Sequence, residues 1–99
     1  MKLTTEKNGT DLTVNLIGEL NTLSAPELRS LFDKELDDVQ ALTLSFAECD
    51  YVSSAGLRIL LAAYKYMDAK NGTMVLINVG EGVMEVLQNT SLDGVFVIR

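Results

Sequence analysis

Two adjacent hydroxyls, Ser53 and Ser54, are the side chains in this sequence best placed for chemistry. They lie in Asp50-Tyr51-Val52-Ser53-Ser54-Ala55-Gly56-Leu57-Arg58, where a strand end and loop give way to a strongly apolar segment. Two readings fit this spacing. In one, the stretch is a helix start: Ser53 is a cap, its hydroxyl accepting from an N–H that otherwise lacks a partner, and Gly56 lets helix and sheet approach closely. In the other it is an anion site. Free N–H groups and the partial positive charge of a helix N-terminus favour a phosphate, so a phosphorylated Ser54 is held without unfolding the domain.

Nucleophilic catalysis by Ser54 lacks a base. The sequence has no His, and Lys65 and Lys70 lie too far along the same expected helix to reach the serine. Ser53-Ser54-Ala55-Gly56 is neither a Gly-x-Ser-x-Gly elbow nor a Gly-x-x-x-x-Gly-Lys phosphate loop, so hydrolase and nucleotidase chemistry both lack their defining parts. The acidic pairs Asp37-Asp38 and Glu48-Asp50 read as solvated surface charge. A single Cys excludes an intrachain disulfide framework, and without His it leaves no usual ligand set for zinc or haem. No metal and no cofactor are expected, and the protein is read as a non-enzyme. Cys49 has no neighbouring cation or second thiol to activate it and is expected to be a small buried or half-buried side chain.

Composition narrows the partners. Eight Lys and Arg against fourteen Asp and Glu give a net charge of −6, which argues against a protein that grips a phosphate backbone; basic or apolar protein surfaces are the expected partners, not nucleic acid. No run approaches the roughly 20 apolar residues of a membrane span, and residues 1–10 lack the apolar core of a secretory signal, so a soluble cytoplasmic protein with no membrane partner is expected. With 47% hydrophobic residues in 99, the chain can build one core without staples, as a single domain over residues 1–99.

The elements that must position the serines follow from periodicity. Leu12, Val14 and Leu16 alternate after the turn-like Asn8-Gly9-Thr10-Asp11, predicting a strand over 12–18 with the first residues as its hairpin partner. Ser24-Ala25-Pro26-Glu27 reads as a helix start with Ser24 capping and Glu27 reaching back; Leu28, Leu31, Phe32 and Leu36 follow at helical spacing. Residues 42–47 alternate as a strand. Residues 54–70 are apolar around most of the circumference and predict a largely buried helix, stopped by Lys70-Asn71-Gly72, where the last two tolerate positive φ. Residues 74–77 with Val79 read as a strand covered on both faces, residues 82–89 as a helix entered through Gly80 and Gly82 as turn residues, and residues 95–98 as a final strand. The order β-β-α-β-α-β-α-β implies an α/β fold with a mostly parallel or mixed sheet and helices packed on it.

Residues 51–58, Tyr-Val-Ser-Ser-Ala-Gly-Leu-Arg, resemble the serine motif of STAS domains of the anti-sigma factor antagonist type, which are bacterial protein switches. Gly18-Glu19-Leu20-Asn21 with Ser24-Ala25-Pro26-Glu27-Leu28-Arg29 resembles the same family's Gly-Glu-Leu-Asp stretch and following helix, and residues 76–97 its C-terminal strand, helix and strand. The resemblance implies a STAS-like mixed sheet and a transcription-regulating phosphoprotein. The unphosphorylated form binds an anti-sigma factor, which releases its sigma factor; the anti-sigma factor, a serine kinase that supplies ATP and magnesium, then phosphorylates the antagonist and ends the binding, with a phosphatase as a possible further partner. By position Ser54 matches the phosphoacceptor, with Ser53 as second choice. Partner binding falls to Asn21, Thr22, Ser24, Asp50, Ser53, Ala55, Gly56, Leu57 and Arg58. Ser53 and Asn21 stand where many members have Asp. Those two missing carboxylates support the competing reading, a constitutive STAS adaptor or scaffold module that is not regulated by phosphorylation.

Overall fold

Gly9, at φ 66°, turns the chain between the two strands that open the fold. The computed structural model describes residues 1–99, and its elements run β1 (Lys2–Asn8), β2 (Asp11–Ile17), α1 (Ala25–Glu35), β3 (Ala41–Glu48), α2 (Ser54–Ala69), β4 (Thr73–Ile77), α3 (Glu81–Asn89) and β5 (Val97–Ile98), with 3-10 turns at Leu36–Asp38 and Leu92–Gly94. The sheet order is β1-β2-β3-β4-β5. β1 pairs antiparallel with β2, and each later pair is parallel. This is the mixed α/β sheet that the alternation of periods predicts.

Consecutive crossovers that step in one direction with one handedness place their helices on one face of the sheet. Burial follows that rule. The inward strand positions Leu12, Val14, Leu16, Leu42, Leu44, Phe46, Met74 and Leu76 are all buried, and they join residues of all three helices in a core of 23. Register puts Thr13, Thr43, Val75 and Val97 side by side on the opposite face, where Val75 and Ile77 are only half-buried. β4 is therefore not covered on both faces: its unbroken apolar run has one face in the core and one on the open side of the sheet.

Three further expectations need correcting. α2 is not largely buried; Gly56, Leu57, Leu60, Ala63 and Met67 face the core, while Ala62 and Tyr66 are exposed. Only Asn71 of the Asn71-Gly72 pair takes positive φ, at 60°. Gly72 is needed for space, since a Cβ there would lie 2.8 Å from the Gln40 carbonyl oxygen and 2.8 Å from Met67 Cε. The last strand is two residues long, because Val95 keeps a helical conformation after the 3-10 turn.

The far ends of α1 and α2 are tied together. Lys70 Nζ donates to the carbonyls of Leu36 and Asp37, a cation placed at the C-terminal end of a helical segment, where its charge is favoured. Tyr66 Oη donates to Asp37 Oδ1 at 3.0 Å, and that carboxylate holds the phenol above its ordinary pKa. Nearby, Lys7 and Asp38 pair at 2.8 Å, raising the lysine and lowering the aspartate.

Candidate functional site

Parallel β2 and β3 end at the same edge of the sheet, so the loops leaving them meet where α1 and α2 begin, the usual place for a site in an open α/β sheet. The loops are stitched by backbone: Gly18 N–H donates to the Glu48 carbonyl at 2.9 Å, Leu20 N–H to Tyr51 at 3.0 Å, and Ser53 N–H to Leu20 at 2.8 Å. The Leu20–Val52 bridge thus extends the pairing past the strands. α2 is pressed against it. A Cβ on Gly56 would sit 2.7 Å from Leu20 Cγ and 3.0 Å from the Leu20 carbonyl oxygen. On the other side, a Cβ on Gly82, within the first turn of α3, would lie 2.9 Å from the Asp50 carbonyl oxygen; Gly82 is a packing residue inside a helix, and Gly80 is that helix's N-cap.

The start of α1 differs from expectation. Ser24 is itself in helical conformation, and its side chain makes no cap to the residues ahead. Instead Asn21 Oδ1 accepts from the Leu23 and Ser24 N–H groups, each at 3.0 Å. Ser24 Oγ reaches back to accept from the Asn21 N–H at 2.8 Å and donates to the Glu19 carbonyl at 2.7 Å. Ala25 N–H donates to the Asn21 carbonyl at 2.8 Å, closing one helical turn. The reciprocal cap exists, but three residues earlier, with Asn21 as cap and Ser24 in the role expected of Glu27.

At α2 the expected cap forms. Ser53 is extended, and its Oγ accepts from the Gly56 N–H at 3.2 Å while its carbonyl accepts from Leu57 N–H at 2.9 Å. Ser54 is the first helical residue and is exposed. The two readings of this stretch are therefore compatible: Ser53 satisfies the helix, and Ser54 presents a free hydroxyl beside first-turn N–H groups that have no intrahelical acceptor.

The candidate residues fall into two layers. Ser24, Gly56 and Leu57 are buried and shape the site from beneath, and half-buried Asn21 and Ser53 are engaged in caps. Thr22, Asp50, Ser54 and Arg58 are exposed, and Ala55 is half-buried. Sequence reasoning did not single out Leu23, 87% exposed, or Tyr51, 46% exposed. The signal for Leu23 was its isolation as an apolar side chain within the polar turn Asn21-Thr22-Leu23-Ser24. From Thr22 and Ala55 a groove of about 680 Å³ runs between α1 and α2 to Asp37 and Tyr66. No group of three or more His, Cys, Asp or Glu side chains is placed to hold a metal ion, and no helix is long and apolar enough to cross a membrane.

Cys49, 2% exposed, donates its thiol to the Tyr51 carbonyl at 3.4 Å. Burial pushes this thiol above its ordinary pKa. The folded state thus disfavours the thiolate, so its contribution is whole below the ordinary thiol range and is lost as pH rises through and beyond it. Native protein is expected to resist a thiol-specific chromogenic reagent at neutral pH and to react on denaturation, and Cys49→Ala is expected to lessen the alkaline fall in melting temperature. Rapid labelling of native protein would contradict this placement.

The chain belongs to the STAS family, whose domain model matches residues 2–99. Within it the protein is similar to the anti-sigma-B factor antagonist of Bacillus subtilis, with 26% identity over 88% of this chain and 80% of the relative. It is also similar to BtrV of Bordetella bronchiseptica, with 31% identity over 97% of this chain and 84% of that one. Among solved structures the fold matches that of the anti-sigma factor antagonist SpoIIAA. For the unphosphorylated form the TM-score is 0.75 at 18% identity, covering 95% of this chain and 97% of that one. For the phosphorylated form of SpoIIAA, a Bacillus cell fate determinant, it is 0.78 at 18% identity, covering 99% and 91%.

Proposed function

We propose that this protein is an anti-sigma factor antagonist acting in the cytoplasm: its unphosphorylated form binds an anti-sigma factor with serine kinase activity and frees the sigma factor, and phosphate on Ser54 ends the binding. The observation that carries this reading is the exposed Ser54 hydroxyl at the first position of α2, left free because Ser53 supplies the cap. The surface around it includes Thr22, Leu23, Asp50, Tyr51 and Arg58, all exposed. The relative named as an anti-sigma-B factor antagonist supports the partner class.

A phosphoserine brings about −1.5 to −2 charges. At a helix N-terminus that charge meets free N–H groups and the positive end of the macrodipole, so the fold tolerates it. Pressed against a partner that lacks a matching cation, the same charge costs several kcal/mol, and each ~1.4 kcal/mol weakens binding tenfold. On this reading the protein is the substrate and ligand of an enzyme, and the partner brings ATP and magnesium.

One observation favours the rival reading of a constitutive adaptor: Asn21 and Ser53 make their caps without charge. An aspartate at either place would cap as well, so the fold does not require these departures, and the departures remove two carboxylates from beside Ser54. Incubation with the cognate anti-sigma factor, ATP and magnesium, followed by mass spectrometry, separates the readings. One phosphate on Ser54 is expected; no phosphate, or a phosphate away from Ser53 and Ser54, would remove the switch.

A further inference from the structure

Two Asn-Gly pairs punctuate the chain, Asn8-Gly9 and Asn71-Gly72, and the switch at Ser54 uses neither. In such a pair the glycine has no Cβ to crowd its nitrogen, so that nitrogen can attack the asparagine side chain before it. The nitrogen gives up its proton to solvent and bonds to the asparagine Cγ, closing a succinimide ring; the side-chain amide leaves as ammonia. Water then opens the ring at either carbonyl, giving aspartate or isoaspartate. One ammonia is lost and one water gained, with no metal, redox partner or enzyme required.

Both asparagines are exposed, so exposure does not choose between them. The backbone around them does. Asn8 is the last residue of β1 and pairs with Asp11 across a two-residue turn, on a strand at the edge of the sheet. Only the end rung of that hairpin must open for Asn8 to rotate toward Gly9, and such ends open locally at little cost. Gly9 is exposed, its N–H makes no hydrogen bond within the protein, and nothing lies within 4 Å of where its Cβ would be. The turn is anchored beyond it, where the Thr10 carbonyl accepts from the Gln40 and Ala41 N–H groups at 2.8 and 3.2 Å. Neither bond engages the attacking nitrogen.

At Asn71 the corresponding nitrogen is engaged. Gly72 N–H donates to the Met67 carbonyl at 2.7 Å, flanked by bonds from Asn71 N–H to Asp68 at 3.0 Å and from Thr73 N–H to Gln40 at 2.8 Å. Ring closure would break this C-terminal cap of α2 and move a glycine whose surroundings leave no space, 2.8 Å separating its would-be Cβ from the Gln40 carbonyl oxygen and from Met67 Cε. We propose that Asn8 is a site of spontaneous deamidation in the folded protein, and that Asn71, in the same dipeptide, is protected by the cap of α2. The product changes the hairpin and adds one negative charge to the net −6. A carboxylate at position 8 faces Asp11, and like charges directly opposite destabilise a strand pair. Isoaspartate also adds a backbone methylene beside the turn that fixes the register of β1 on β2.

The test is incubation of the intact protein at mildly alkaline pH, native and in denaturant, with conversion at each asparagine followed by proteolysis and tandem mass spectrometry. In native protein Asn8 is expected to convert about tenfold or more faster than Asn71, the ratio sustained by one retained hydrogen bond of about 1.4 kcal/mol. In denaturant the two rates should converge. Anion-exchange chromatography of native protein is expected to resolve a more acidic species that Asn8→Ser abolishes and Asn71→Ser leaves in place. Equal rates at the two sites in native protein, faster conversion at Asn71, or an Asn8 that converts only in denaturant would overturn the proposal. None of these readouts involves a kinase or a binding partner, so the outcome stands apart from that of the switch at Ser54.

Discussion

Gly56→Val is expected to cost about 3 kcal/mol of stability, through overpacking of a buried contact. In a domain of this size that lowers the melting temperature by roughly 15 °C. Two effects compete at this position. Replacing a glycine inside a helix normally stabilises by about 0.5–1 kcal/mol, because the unfolded chain loses freedom. Here the first added carbon lies 2.7 Å from Leu20 Cγ and 3.0 Å from a backbone oxygen, and Leu20 is fully buried, so neither neighbour has room to yield. Gly56→Ala should lie between the wild type and Gly56→Val. Gly94, with nothing within 4 Å of its would-be Cβ, provides the control: Gly94→Ala is expected to stay within about 0.5 kcal/mol. Thermal unfolding followed by circular dichroism checks the series, and a Gly56→Val protein as stable as wild type would show that α2 does not press on the Leu20–Val52 bridge.

Ser54→Asp is expected to weaken binding of the anti-sigma factor about a hundredfold while leaving the circular dichroism spectrum in place and the melting temperature equal or a few degrees higher. The asymmetry follows from position. At the first turn of α2 a carboxylate is favourable by about 0.3–1 kcal/mol, so the fold gains slightly. At the interface, a carboxylate with no matching cation costs about 3 kcal/mol, which is the hundredfold. Ser54→Ala removes only a hydroxyl and is expected to bind nearly as the wild type does. Equal affinity for all three proteins, measured by calorimetric titration, would favour the constitutive adaptor.

The order and type of the strands and α-helices were legible in the sequence because the periods differ, whereas the two 3-10 turns were not: Leu12, Val14 and Leu16 alternate, and Leu28, Leu31, Phe32 and Leu36 step at helical spacing. What periodicity does not carry is which side of an element will be covered. Val75 and Ile77 look like core residues and lie on the open face of the sheet, and Ile59, Ala62 and Tyr66 of α2 look like burial and line the groove between α1 and α2. The displaced cap has another cause. Asn21 and Ser24 are both good capping types three apart, and the choice between Ser24–Glu27 and Asn21–Ser24 depends on the backbone conformation of Ser24, which local residue type leaves open. Gly72 teaches the same lesson: glycine signals a backbone need, and only packing shows whether the need is a dihedral angle or room for Gln40 and Met67. The structure places residues 21–24 and 50–58 side by side, but the split into buried supports such as Ser24, Gly56 and Leu57 and exposed groups such as Thr22, Ser54 and Arg58 required the three-dimensional arrangement, as did Leu23 and Tyr51.

The central claim is that one phosphate at Ser54 ends partner binding without disturbing the domain. Its most direct test is a calorimetric titration of the cognate anti-sigma factor with this protein carrying phosphoserine at position 54, alongside the unmodified protein, with melting curves of both. A melting temperature kept within a few degrees and an affinity lowered a hundredfold or more, at least as large an effect as a single carboxylate produces, is the predicted result. Equal affinities, or a loss of binding that accompanies unfolding, would contradict it.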